Sequence, residues 1–432
     1  MTSGSSAPRA VRRLVIVGAS LAGLRAAQAA RAAGHDAGIV LIGQEPHLPY
    51  TRPPLSKELL QGTQEIEDSA LQVGELDVEW RLGVPATGLD RQRRRVRLAD
   101  GGEVDYDRLI VATGCRARPW EGPGATLTGV HTLRTLEDAV ALRGALASAR
   151  RLLIVGAGFI GCEVAASARA LGIEVTLIDI AAHPLLPFGP QLGERWDRMH
   201  REHGVDVRLG AGIAALHGHG TVEHAELSDG TTVDVDTVLL ALGSVLNTEW
   251  LNGSGLELDP AVVCDATLTT IRDPDILAAG DIAAVPVGLA DGAPLRVEHW
   301  TTAAEHGQLA GRNALLAPAD RASHATPPYF WSDQYGSKIQ ALGCPALAER
   351  TELLEQTPEG DRWVVACVRG KHVTGIVAMN AARRLPFYRR ELAQPPTLAS
   401  LKASLAAESS TLGIQPFDGF AERAQRAERS SP

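Results

Sequence analysis

Two stretches of this 432-residue chain, LVIVGASLAG at 14–23 and LLIVGAGFIG at 152–161, predict an α/β fold with two Rossmann-like modules. Each reads as an apolar parallel-sheet strand, a glycine turn and a helix. The far ends of the modules repeat as well: VRLADGGEVDYDRLIVATG at 96–114 aligns without a gap to AELSDGTTVDVDTVLLALG at 225–243. After Pro327 the pattern changes, and short apolar strands point to a small C-terminal α+β domain. Matched beginnings and ends mean two nucleotides held side by side, which suits passing electrons between them.

The elements follow in order. Leu14–Val17 is an unbroken apolar run ending at Gly18, the pattern of a parallel-sheet strand. Leu21–Ala33 is alanine-rich and helical, Gly34 stops it, and Gly38–Ile42 is the next strand. Four prolines between Pro46 and Pro54 forbid a helix and require an extended loop. Ser56 is then expected to cap a short helix with Lys57 in its first turn. Residues 78–112 read as a β-meander turning at Asp100-Gly101-Gly102. Thr135–Ala149 is helical and leads to strand Leu152–Val155, helix Ile160–Ala170 and strand Glu174–Ile178. A helix at Gln191–His203 and a second meander carry the chain to Gly243. An extended Ala278-Ala279-Gly280-Asp281 segment and a helix near Thr301–Ala314 come next. Strands Arg362–Val368 and His372–Ala378, joined through Arg369-Gly370-Lys371, precede one or two closing helices.

At this length a single core is exceeded and two or three domains are expected. The reading is a flexible tail at 1–11, a discontinuous first nucleotide domain at 12–118 and 245–325, a second at 119–244, a C-terminal domain at 326–418, and a tail at 419–432. A net charge of −9 argues against nucleic acid as the main partner, since phosphate binding needs a basic face. No apolar run approaches the ~18 residues of a membrane span, and the first residues lack a hydrophobic signal core. No membrane association and a cytoplasmic location are expected. The cysteines at 115, 162, 264, 344 and 367 lie no closer than 23 residues apart, which excludes CxxC redox pairs and close-spaced metal ligands. They read as buried free thiols, and no metal is expected.

A strand–glycine turn–helix binds pyrophosphate because the helix N-terminus offers free N–H groups and the positive end of its dipole. In the second module Gly156, Gly158 and Gly161 satisfy the full spacing around Phe159 and Ile160. The first has Gly18 and Gly23, with Ala22 between, but puts Ser20 in the middle position. After the second turn, strand Glu174–Ile178 ends at Asp179, 18 residues past Gly161. A carboxylate there accepts hydrogen bonds from ribose hydroxyls and repels a 2′-phosphate. Residues 180–183 are Ile, Ala, Ala and His, with no arginine or lysine for that phosphate, so NADH is expected over NADPH.

Several further motifs stand in a specific order: RPPLSK at 52–57, ATG at 112–114, HTLRTLEDA at 131–139, AAGD at 278–281, RVEHWTTAAEHG at 296–307 and YFWSDQYGSKIQALG at 329–343. With GASLAGLRAA and GAGFIGCEVAA, they make the chain resemble the ferredoxin, putidaredoxin and rubredoxin reductases over about residues 12–400. These are FAD-dependent NADH oxidoreductases of the glutathione-reductase-like class. The resemblance implies that the first module holds FAD, with pyrophosphate at Gly18, Ser20, Ala22 and Gly23. Gln44 and Glu45 would lie near the adenosine ribose, Glu45 being the partner because relatives carry an acid where Gln44 stands. Arg52 and Lys57 would contact pyrophosphate and flavin, Ala86 the adenine, and Arg134 the cofactor edge. Ala112, Thr113 and Gly114 would line the same cofactor, Gly243 is their counterpart in the second module, and Asp281 would bind the ribityl chain. Trp300 and Trp331 would flank the isoalloxazine.

The same resemblance pairs Glu163, over the flavin where nicotinamide must enter, with Lys57. A nicotinamide that displaced Glu163 would leave Lys57 to stabilise reduced flavin. Relatives that reduce disulfides carry a cysteine pair after the first module's second strand, whereas residues 41–60 contain no cysteine and Cys162 has no CxxC partner. Electrons must therefore leave directly, and an iron–sulfur ferredoxin, small and acidic, is the expected acceptor in an oxygenase system. Arg383, Arg384, Arg389 and Arg390 around Leu385-Pro386-Phe387-Tyr388 fit a basic docking patch with exposed aromatics. The run RQRRRVR at 91–97 reads instead as a meander surface. A monomer or weak homodimer is expected. An NADH oxidase of the same fold and an NADH-sensing protein resembling apoptosis-inducing factor remain alternatives.

Overall fold

The computed structural model describes residues 11–412. The tails expected at 1–11 and 419–432 lie outside the described residues, Val11 apart. The chain forms two compact units, each drawn from three segments: Met1–Thr51, Ile66–Arg116 and Ser244–Thr326 in the first, Arg52–Glu65, Ala117–Gly243 and Pro327–Pro432 in the second.

The first unit is built on a six-stranded sheet. Its order is Thr269–Thr270, Asp273–Ala278, Arg108–Val111, Arg13–Val17, Gly38–Ile42 and Glu79–Arg81. All neighbours are parallel except the first pair. Leu14, Val15 and Ile16 are fully buried, as strands covered on both faces require. Helix Leu21–Ala32 packs on helix Trp300–Asn313, and small residues set how closely they approach. A Cβ added at Gly307 would lie 2.3 Å from the carbonyl oxygen of Ala22, and one at Gly311 would lie 2.2 Å from that of Ala26. The alanine richness of the first helix is thus a packing requirement as well as a propensity.

The expected meander over 78–112 is only partly present. Ala86–Asp90, Arg95–Leu98 and Glu103–Asp105 form an antiparallel sheet. Glu79–Arg81 and Arg108–Val111 instead join the parallel sheet beside strands distant in sequence. Local alternation shows that a segment is extended but not which partner it chooses. The arginine run lies on this meander as expected: Arg91 pairs with Asp273 at 3.0 Å, and Arg95 with Asp105 at 2.6 Å and Glu103 at 2.7 Å.

The second unit carries a parallel sheet ordered Asp206–Leu209, Glu174–Asp179, Arg151–Val155, Thr237–Leu240 and Val130–His131. Ile213–His217, His224–Leu227 and Thr232–Asp234 form a separate antiparallel sheet. The C-terminal region is a five-stranded antiparallel sheet, ordered Tyr329–Gln334, Ser337–Gly343, His372–Met379, Trp363–Arg369 and Arg350–Gln356. Helices Leu385–Leu392 and Leu398–Leu412 follow it. The sequence had indicated only two of those strands.

The expectation for Ser56 is corrected. Pro53–Ser56 forms a 3-10 turn, and Lys57, not Ser56, occupies the N-cap position of helix Glu58–Gln61. Paired prolines suit the start of a tight turn, where no N–H is needed. Turning at once frees the Ser56 hydroxyl to point elsewhere.

Two outcomes are expected. Gly311→Ala should destabilise the protein by about 1–3 kcal/mol, because the new methyl meets backbone that cannot rotate away; chemical denaturation measures this. His306, buried at right angles to His324 with ring centroids 4.6 Å apart, has its imidazole driven down to about 3 by burial, with His324 adding to the shift. Between pH 6.5 and about 3 the unfolded chain takes up a proton there that the folded chain refuses, so stability falls as pH falls through that window. A melting-temperature series should show this fall, and His306→Gln should flatten it.

Candidate active site

The two glycine turns are near copies. Gly18 has φ +124° and a Cβ there would lie 2.0 Å from the carbonyl oxygen of Ala112; Gly156 has φ +110° and a Cβ would lie 2.3 Å from that of Ala241. A Cβ on Gly23 or Gly161 would lie 1.9 Å from the carbonyl oxygen of the first glycine of its turn. Only glycine fits at these four positions. Gly158, by contrast, faces open space. Helices Leu21–Ala32 and Phe159–Ala170 have neither a side-chain cap nor an acidic residue in the first turn. Their positive ends are left for an external anion, and these cradles fit the pyrophosphates of FAD and NADH.

In the first unit, the turn Gly280–Ile282 is held against the start of the first helix: a Cβ on Gly280 would lie 3.2 Å from that of Ala22. Asp281 is thereby brought beside the pyrophosphate cradle. The Cys115 thiol donates to Asp281 Oδ2 at 3.4 Å and reaches Glu298 Oε2 at 3.6 Å. Burial pushes the neighbouring His299 imidazole down to about 4, against the opposing pull of Asp281 and Glu298. Trp300 opens the helix that follows. Ala112, Thr113 and Gly114 are fixed by Asn247. Its Nδ2 donates to the Thr113 carbonyl at 2.8 Å, while Thr113 Oγ1 donates to the Asn247 carbonyl at 2.9 Å. Glu45 accepts a hydrogen bond from the Tyr50 hydroxyl, Gln44 is exposed, and Ala86 is half-buried at the start of its strand.

In the second unit, Glu163 and Lys57 are brought together. Both are buried, at 5% and 7% exposure, with Lys57 Nζ 2.8 Å from Glu163 Oε2. The Ser56 hydroxyl donates to the same oxygen, and Ser332 Oγ donates to Oε1 at 2.7 Å. Gln334 Nε2 in turn donates to Ser332 at 3.1 Å. One helical turn after Glu163, Ser167 Oγ donates to the Ser56 carbonyl at 2.8 Å and accepts from Gln61 at 3.1 Å. The C-terminal end of the 3-10 turn and the short helix after it are therefore tied to one helix face. A cavity of about 520 Å³ lined by Gln61, Ser167, Asp333 and Tyr335 reaches Lys57.

Other sequence-derived candidates divide. Arg52 donates to the Arg134 carbonyl at 2.6 Å, while the Arg134 N–H donates to Asp138, which also closes the capping box with Thr135. Asp179 ends its strand as expected, but its two oxygens already accept from the N–H groups of Ala157 and Ala181, at 2.7 and 2.8 Å. It clamps the glycine turn while keeping acceptor capacity on each oxygen. Gly243 lies at positive φ just past its strand, and Ile160 is exposed. Phe159 packs into an aromatic cluster, 4.7 Å from Phe330 and 5.6 Å from Phe188 between ring centroids. Trp331 stacks on Tyr329 at 6.1 Å, with the Arg389 guanidinium over the Tyr329 ring at 5.4 Å.

The basic patch needs correction. Phe387 and Tyr388 are buried, not exposed, and Tyr388 donates to the buried Glu355. Arg384 pairs with Glu355 at 3.0 Å and Glu408 at 3.4 Å, so its charge is spent internally. Arg383, Arg389 and Arg390 remain at the surface. Sequence reasoning also missed Ser56, Ser332 and Asn247 as parts of the site. Ser332 lies in a quoted motif, but nothing in its type marks it as a partner of Glu163.

Each unit carries one glycine turn of this kind, and the second unit also holds the buried Lys57–Glu163 pair. A family model for pyridine nucleotide-disulphide oxidoreductases matches residues 12–307, and one for the reductase C-terminal domain matches residues 329–412. The chain is 34% identical to rhodocoxin reductase of Rhodococcus erythropolis, covering 90% of this chain and 92% of that one. It is 36% identical to the ferredoxin–NAD(+) reductase component of the anthranilate 1,2-dioxygenase system of Burkholderia cepacia, covering 88% and 93%. The crystal structure of a covalent putidaredoxin reductase–putidaredoxin complex superposes with a TM-score of 0.85 at 30% identity, covering 90% and 95%. Duplicated cradles, the carboxylate at the second strand's end and these likenesses agree: the chain belongs to the pyridine nucleotide-disulphide oxidoreductase family.

Proposed function

We propose that the chain is an FAD-dependent NADH:ferredoxin reductase that feeds electrons to an oxygenase. The observation that carries this reading is the buried Lys57–Glu163 pair, combined with five cysteines that are all free and buried. FAD would occupy the cradle of Gly18, Ala22 and Gly23, with Glu45, Ala86, Thr113 and Asp281 as contacts, and NADH that of Gly156, Gly158 and Gly161 with Asp179. The corresponding domains are 12–118 with 245–325, 119–244, and 326–418. When bound, the flavin accepts a hydride and releases electrons singly, a conversion an iron–sulfur partner needs.

The protein's own part is electrostatic. Glu163 and Lys57 neutralise each other where neither charge could be buried alone, and removing one partner of such a pair costs about 3–5 kcal/mol. A nicotinamide that displaces the Glu163 carboxylate leaves the Lys57 ammonium without its counterion, so it favours negative charge arriving beside it. Ser56 and Ser332 set the position to which Glu163 returns.

The partner of the proposal is a small acidic ferredoxin, supported by the surface cations Arg383, Arg389 and Arg390. A monomeric or weakly dimeric state and a cytoplasmic place belong to the same proposal; the five free thiols support the latter. Among the described residues no helix is long and apolar enough to cross a membrane.

The test is anaerobic bleaching of flavin absorption by NADH, followed by cytochrome c reduction that depends on an added ferredoxin. Rapid oxygen consumption without any ferredoxin would favour an oxidase instead. Lys57→Ala should slow flavin reduction in stopped flow by about 10²-fold, and an unchanged rate removes Lys57 from the chemistry. Asp179→Ala combined with Ile180→Arg should raise kcat/KM for NADPH relative to NADH by at least about tenfold. Ile180 is 81% exposed and can carry the new cation without repacking. A constant ratio would refute ribose recognition by Asp179.

A further inference from the structure

We propose that the hairpin formed by Ile213–His217 and His224–Leu227 binds a divalent transition-metal ion through His217, His224 and Glu226. The segment 217–226 reads HGHGTVEHAE and holds three of the chain's 13 histidines, and none of its residues belongs to the candidate nucleotide contacts.

The antiparallel register sets His217 opposite His224. Directly opposed side chains leave the same face of a sheet with Cβ atoms about 4.5–5.5 Å apart. The two imidazoles lie face to face, ring centroids 4.9 Å apart and planes within 17°. Glu226 is two residues from His224, hence on the same face, and its Oε2 lies 3.2 Å from His217 Nε2. One strand further, Asp234 stands opposite His224, with its carboxylate 3.2 Å from Arg151. The row across three strands therefore runs imidazole, imidazole, carboxylate, with Glu226 beside the first ring. His219 is engaged differently: it sits in the turn, with Nδ1 3.4 Å and its N–H 3.1 Å from Glu223 Oε1.

Two stacked imidazoles repel when both are protonated, and a metal ion binds their neutral forms in place of those protons. His217 and Glu226 are exposed and His224 is half-buried, so both rings and the carboxylate border solvent. Imidazole with carboxylate suits Cu²⁺, Ni²⁺, Co²⁺ and Zn²⁺, whereas Mg²⁺ and Ca²⁺ prefer all-oxygen sets. The ion would clip the first two strands of this small sheet together, independently of electron transfer.

The experiment uses the untagged full-length protein, cleared with chelator and titrated with Cu²⁺ while nitrogen hyperfine coupling is followed by electron paramagnetic resonance. One equivalent should bind with two-nitrogen coupling, Ni²⁺ should compete better than Co²⁺, and Mg²⁺ should not compete. His217→Ala and His224→Ala should each weaken binding at least about tenfold and reduce the coupling to one nitrogen, and Glu226→Gln should weaken it about tenfold, while His219→Ala leaves it unchanged. Unaltered circular dichroism and flavin absorption establish that each variant is folded. Two-nitrogen coupling that survives in the His217→Ala/His224→Ala double variant, or is lost in His219→Ala, overturns the assignment.

Discussion

A carboxylate taken out of water must be neutralised where it lies, and in this chain Glu163 is the group that imposes that condition. Its two oxygens collect Lys57, Ser56 and Ser332, drawing the 52–65 segment and the strand Tyr329–Gln334 to one helix. The segments are more than a hundred residues apart in sequence, so their meeting is a tertiary event. Ser167, one turn on, repeats the attachment through backbone. The result is a buried charge whose neutralisation and hydrogen bonds are all supplied by side chains from other segments.

The glycine turns were legible because they are backbone problems with one solution. At Gly18, Gly23, Gly156 and Gly161 a single added carbon would collide with a carbonyl oxygen, so residue type and geometry imply each other. Asp179 was legible as a strand-end carboxylate, but its hold on Ala157 and Ala181 was not, since any polar side chain can find a nearby N–H. The pairing of Lys57 with Glu163 was reached through family resemblance alone. Neither residue type nor spacing could have joined positions 106 residues apart.

The C-terminal sheet shows the complementary limit. Its two recognised strands, WVVACVR and HVTGIVAM, are interior strands with nearly every residue buried. The edge strands YFWSDQ and RTELLEQ were missed because an edge tolerates and even favours polar residues, which blurs the alternation, and the interior strand SKIQALG was missed because it opens on polar residues. The arginines near 384 misled for a related reason. Glu355, which consumes one of them, lies 29 residues earlier, so a buried ion pair looked like a surface cluster.

The segmentation of the chain has a consequence for its integrity. The backbone passes from one compact unit to the other five times, at residues 51–52, 65–66, 116–117, 243–244 and 326–327. No single cut can release either unit as a continuous polypeptide. A continuous piece that holds all three segments of either unit must also carry two segments of the other.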